Sequence, residues 1–138
     1  MVSIRQEKGQ GLVEFALIFT VLLLVGFGAL DLGRVFHTLI TVTNASREGA
    51  RYLSLHPADN VDGFSGTISA ALSEAEGSIP DIALVQTEVT YCTDHDPLPG
   101  CDSGFPVRVK VSYPFKFLMG WLVPSPVTLS HSTEMIVP

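Results

Sequence analysis

The sequence predicts an α+β fold in which a long N-terminal transmembrane helix continues into a small domain with a short helix and a three-stranded antiparallel sheet. Three observations predict it. The stretch Phe15–Leu30 carries no charged residue, helical spacing of apolar residues continues past it toward Leu55, and of three later strand-like runs two alternate as half-buried strands do and the last is rich in β-branched residues.

The apolar stretch comes first. A bilayer core of about 30 Å takes around 20 apolar residues in helical form, and Leu12–Leu30 has that length if Glu14 near its start is tolerated. Arg5 and Lys8 precede it, the pattern of a cytoplasmic N-terminus with the rest of the chain outside. The run leads into Asp31-Leu32-Gly33-Arg34 rather than a small-residue cleavage site, so it is expected to be retained and not removed as a secretory signal. It also explains the positive mean hydropathy of +0.37. Gly26, Gly28 and Gly33 weaken the helix but permit close approach of another; simple flexibility is the alternative.

Beyond Leu30, residues Leu32, Val35, Phe36, Leu39 and Thr43 recur on one side, which predicts that the helix emerges from the bilayer and continues. Pro57 disfavours helical geometry at His56, so the helix should stop near Leu55, roughly 66 Å from Leu12. Asp31 and Arg34 can pair at the outer membrane boundary. Arg47, Glu48 and Arg51 form a second charged patch. One reading of this charged face is solvation; the other is docking on the chain's own domain or a partner, which requires each charge to be paired.

A polar connection, Ala58–Gly66, precedes a short helix. Ser65 or Thr67 is its expected cap, Ile68, Ala71, Leu72 and Ala75 its inner face, and Gly77 and Pro80 its end. The three strand-like runs are Val85–Tyr91, Val107–Tyr113 and Val127–Val137. Their loops offer no crossover helices, so antiparallel pairing is expected. Between the last two, Phe115, Phe117, Leu118, Met119, Trp121 and Leu122 form an aromatic stretch. It reads either as a loop closing the core or as a patch for the membrane interface or a partner.

A net charge of -6 with only 8 Lys and Arg residues argues against nucleic acid as a partner. No HExxH, nucleophile elbow or P-loop is present. His95 between Asp94 and Asp96 matches no EF-hand spacing. The chain is therefore not expected to be an enzyme or to hold a cofactor or metal. A domain this small has a marginal core and needs further support. Cys92 and Cys101, an even count in a domain expected to be exported, read first as one disulfide, with free thiols as the alternative.

Glu14 is the anomaly. An ionisable side chain in a spanning segment is costly and is by default a functional-site hypothesis; a carboxylate at headgroup level, or a protonated one, is the alternative. Its surroundings, Lys8-Gly9-Gln10-Gly11-Leu12-Val13-Glu14-Phe15, resemble the processing site of type IV pilin-like precursors. That resemblance implies a prepilin peptidase cutting after Gly9, a mature chain beginning at Gln10 and Glu14 at its fifth position. Glu14 of one subunit would then compensate the Gln10 α-amino group of a neighbour.

Further blocks narrow the resemblance. Gly11–Leu17, Asp31–Arg34 and Thr43-Asn-Ala-Ser-Arg-Glu-Gly-Ala-Arg-Tyr52 together resemble the TadE-like family, minor pilins or pseudopilins of tight-adherence (Flp) type IV pilus systems. Phe15 stands where the major Flp pilins typically carry Tyr, which favours a TadE-like minor component. The resemblance implies a leader at 1–9, a transmembrane and extended helix at 10–56, and an exported domain at 57–138. It implies the membrane, prepilin peptidase, other pilin subunits and pilus assembly proteins as partners. The location implied is the bacterial inner membrane, single-pass with the C-terminal domain outside, with incorporation into an extracellular pilus as a further destination. The alternative is an uncleaved membrane-anchored binding or scaffold module.

Overall fold

The computed structural model describes residues 5–91, 104–120 and 126–138. One helix, α1, runs unbroken over Arg5–Leu55, about 76 Å at 1.5 Å per residue. It begins ahead of the apolar run, since no proline interrupts Arg5–Gly11, and it ends where Pro57 is expected to end it. Every residue from Gly9 to Leu30 except the half-covered Gly28 is exposed. The most apolar 18-residue window has a mean hydropathy of 2.4 and none of it is buried inside the chain, so α1 is long and apolar enough to cross a membrane.

From Asp31 onward one face of α1 is covered. A 3-10 turn at Pro57–Asp62 leads to helix α2, Ser65–Ala75, and a second turn at Ile82–Leu84 leads to strands β1 (Gln86–Tyr91), β2 (Pro106–Phe115) and β3 (Val127–Ile136). The sheet order is β1-β2-β3 and both pairs are antiparallel, with Val89 opposite Val109 and Val109 opposite Thr133. Central strand β2 buries Val107, Val109, Val111, Tyr113 and Phe115 against Val42, Ala45, Ala50 and Leu53 of α1 and Ala71 and Ala75 of α2. The expected α+β architecture is thus the observed one.

The helix continues as Leu32, Val35, Phe36, Leu39 and Thr43 predict, but their side is not its buried one: Leu32, Phe36 and Leu39 are exposed, Thr43 is half-covered, and only Val35 packs against the core. The covered face is offset from it and consists of Asp31, Thr38, Thr41, Val42, Ala45, Ser46, Gly49, Ala50, Leu53 and Ser54. Close approach selects these small residues. A Cβ on Gly49 would sit 3.1 Å from Val109 Cγ1 and 3.3 Å from Ala71 Cβ, so α1, α2 and β2 meet where a side chain is missing. The buried hydroxyls bond back to their own helix, Thr38 to the Arg34 carbonyl at 2.9 Å and Thr41 to that of His37 at 3.1 Å, so burial leaves them satisfied.

One local expectation is corrected, the cap of α2. Neither Ser65 nor Thr67 caps it; Phe64 occupies the N-cap position in the left-handed region at φ 61 with no side-chain bond. The carboxylate of Asp59 does the work from the preceding turn, accepting the Gly66 N–H at 3.0 Å, the Thr67 N–H at 2.8 Å and the Thr67 hydroxyl at 2.6 Å. It thereby satisfies donors that a helix start leaves orphaned. Cys92, Cys101, the His95 loop, Trp121 and Leu122 lie outside the described residues.

Candidate functional site

The residues singled out by sequence fall at three heights along α1. At the lowest, Gly9, Gln10, Glu14 and Phe15 lie on exposed helix. Gln10 Nε2 donates to Glu14 Oε1 at 3.3 Å, one helical turn away, and Phe15 stacks on Phe19 with ring centroids 5.7 Å apart. Added Cβ atoms at Gly9 and Gly11 would meet nothing within 4 Å. Neither glycine is there to admit a neighbouring part of this chain. Each nevertheless weakens the helix by about 1 kcal/mol relative to Ala, so the Gly9–Gln10 bond lies in a weak turn of helix.

The middle height is where the apolar run ends. Asp31 is 5% exposed, and its carboxylate accepts the Leu118 N–H at 3.0 and 3.1 Å through its two oxygens and the Met119 N–H at 3.3 Å. Arg34 Nη1 donates to the same carboxylate at 2.9 Å. The Arg34 guanidinium carbon lies 5.1 Å from the ring centre of Phe115, and Phe115 meets Phe117 edge-on at 5.2 Å. These contacts close a clasp that ties the end of β2 and the following turn to the helix at its exit from the apolar run. Phe115 and Phe117 belong to the core, as a loop closing the core requires, whereas Leu118 is 57% exposed.

At the highest level the charges part company with Asp31. Glu48 pairs with Arg51, whose Nε donates to it at 2.8 Å, and Arg47 and Arg51 are exposed. The expected charged face is therefore two things: a docked acid at Asp31 with its Arg34 partner, and a solvated patch at Arg47, Glu48 and Arg51. A polar contact that sequence reasoning missed lies between them on the inner side. Ser46, fully buried, bonds the Thr43 carbonyl at 2.8 Å, Thr133 Oγ1 at 2.8 Å and His131 Nδ1 at 2.9 Å. It fastens α1 to β3, and no spacing rule links residues 85 positions apart. Among the described residues, no group of three or more His, Cys, Asp or Glu side chains is gathered as a metal would need.

Residues 9–51 match the family described as TadE-like protein. The N-terminal segment is TadE-like. The match begins at Gly9 and ends at Arg51, so it covers most of α1 and none of the sheet. No curated protein and no solved structure matches the chain. The TadE-like segment points to a pilus-associated protein of a tight-adherence system, a structural family, and its one N-terminal apolar helix fits a single-pass membrane protein. It holds all three heights described above: the weak turn at Gly9, the docked Asp31, and the charged patch at Arg47, Glu48 and Arg51.

Proposed function

We propose that this chain is a minor pilin or pseudopilin, a structural or assembly component of a tight-adherence type IV pilus, released from its leader by prepilin peptidase after Gly9. The observation that carries the reading is the helix from Gly9 to Leu30, apolar and exposed around its circumference, with Glu14 as its one acidic residue. Such a surface needs lipid or other helices as its solvent. A carboxylate in it needs a cation, and cleavage after Gly9 creates one on Gln10. The glycines at 9 and 11 support processing, because a peptidase needs local unwinding that a weak turn supplies at low cost.

In this reading the protein sits in the inner membrane with its N-terminus inside. The domain beyond Asp31 is outside, and the partners are prepilin peptidase, other pilin subunits and assembly proteins. A second reading, an uncleaved anchored module, is favoured by one feature: α1 runs without a break through the Gly9–Gln10 bond. Intact mass of the protein from its native host separates the two. A chain beginning at Gln10 is expected, and full-length precursor in cells with active prepilin peptidase would leave the anchored module in its place. Gly9→Trp should block cleavage without affecting insertion, which depends on Leu12–Leu30.

A further inference from the structure

The Asp31 clasp fixes the height of a turn. Asp31 directly follows Leu30, the last residue of the apolar run, and one residue of helix rises 1.5 Å. Asp31 holds the backbone of Leu118 and Met119 by direct hydrogen bonds, so this turn lies at the level where the helix leaves the membrane. Phe27 and Leu24, four and seven residues before Asp31, continue the same side of the helix downward. The turn therefore stands above lipid-facing helix surface. Its Leu118 side chain is 57% exposed although the neighbouring Phe115 is 3% exposed.

Charge points the same way. Arg34, Arg51, Arg108 and Lys110 are each in an ion pair. Lys116 is exposed, two residues from Leu118, and has no ion pair among the described residues. Two exposed cations, Arg47 and Lys116, have no ion pair among the described residues, and Lys116 is the one beside an exposed leucine at the membrane end of a protein of net charge -6. An apolar side chain flanked by a basic one is the combination that favours the headgroup boundary of an anionic bilayer.

We propose that the turn Leu118–Gly120 is a lipid-contacting element: Leu118 enters the headgroup region of the leaflet from which α1 emerges, and Lys116 faces the phosphates of anionic lipids there. The proposal rests on the reading of Leu12–Leu30 as a membrane span. It gives the domain a second point of contact with the bilayer, and so a fixed tilt of domain and helix together relative to the bilayer before assembly.

The test is photolabelling of the full chain in vesicles of phosphatidylethanolamine and phosphatidylglycerol. Benzoylphenylalanine replaces Leu118, Leu22 or Ile136, one at a time. All three positions are exposed, and Ile136 pairs with Pro106 at the opposite end of β2. Lipid adducts are expected at 118 and 22, severalfold above those at 136. Labelling at 22 but only background at 118 would overturn the proposal and leave the span intact. No lipid adduct at 22 would overturn the span and the proposal with it. A cross-link from 118 to a second copy of the chain in place of lipid would overturn the assignment of lipid. Lys116→Glu should lower the share of phosphatidylglycerol in the adducts at 118; an unchanged share would overturn the role given to Lys116.

Discussion

Below Leu30, α1 exposes Leu17, Leu22 and Val25 together with the rest of its surface; above it, the same helix buries Thr38, Val42, Ala45, Ser46, Ala50 and Leu53 under a sheet and a second helix. The lower half is far more apolar, and it is the upper half that forms the core. The comparison shows that hydrophobicity along this helix reports its solvent, while small size reports its contacts. Lipid accepts large side chains at any position, whereas a close helix–sheet approach accepts Ala, Ser, Thr and Gly, with an occasional Val or Leu.

The sharpest way to break that division is to alter the lower half and find the upper one affected. Glu14→Gln nearly preserves shape and removes a charge that, in the proposed reading, meets the Gln10 amine of a neighbour. It should weaken association with pilus partners by about two to three orders of magnitude, as loss of one member of a buried pair does. The domain packed on the upper half of α1 should stay folded. Co-purification alongside protease resistance of the domain measures both, and wild-type co-purification would return Glu14 to a headgroup-level carboxylate.

Core truncation gives the next largest effect. Leu53 is fully buried, and Leu53→Ala should cost about 3 kcal/mol from lost burial and the cavity left behind. Leu22 is 63% exposed, and Leu22→Ala should leave the domain's unfolding unchanged. Denaturant unfolding of the two full-length variants in the same detergent makes the comparison. A smaller effect is expected at the glycines. Gly33 has open space around it, so Gly33→Ala gains up to about 1 kcal/mol of helix propensity. Gly49→Ala receives the same gain but forces Val109 and Ala71 apart, and overpacking at about 1–3 kcal/mol makes its net effect a loss of about 1 kcal/mol.

Asp31→Ala acts locally. It leaves the Leu118 and Met119 N–H groups without their acceptor and should speed their amide exchange roughly tenfold while exchange at Ala50 and Leu53 stays slow. A uniform acceleration would instead make Asp31 a support of the whole domain.

The coarse fold was legible because its signals are local. A charge-free run, Pro57, two alternating stretches and one rich in β-branched residues each declare themselves within a short window. The proposed junction rests on an equally local signal, since Gly9, Gln10 and Glu14 lie within one short segment. What escaped was every contact that joins distant segments. Asp31 read as the partner of Arg34, which it is, but nothing near Leu118 announces that its backbone needs a carboxylate. The buried stripe of α1 carries no such apolar signal, because apolar periodicity weights Leu32, Phe36 and Leu39 above Ala45, Ser46 and Gly49. The signal that would have found it is Gly49 itself, a helix-weakening residue in the middle of a strong helical segment. The cap of α2 was assigned to Ser65 or Thr67 by adjacency, and the true acceptor lies a turn earlier.

That acceptor carries the last prediction. Burial opposes ionisation of Asp59, but the Thr67 hydroxyl, the Thr67 and Gly66 N–H groups and the nearby His56 together outweigh it and hold the carboxyl below the ordinary range. In the unfolded chain Asp59 titrates in that ordinary range, so the folded state binds its proton less readily. The stabilisation is then complete above the ordinary carboxylate range. It falls as pH drops through that range toward the lower folded value, and it is gone below it. Amide exchange at Gly66 and Thr67, corrected for its intrinsic pH dependence, should be flat near neutrality and quicken as the pH falls below the ordinary carboxylate range, about pH 4. Asp59→Asn keeps one acceptor oxygen and no charge, so these two amides should exchange faster at neutral pH and show no further quickening on acidification. Unchanged exchange in Asp59→Asn would mean that α2 is held by Ala71 and Ala75 against α1 alone, and that its start needs no cap from outside the helix.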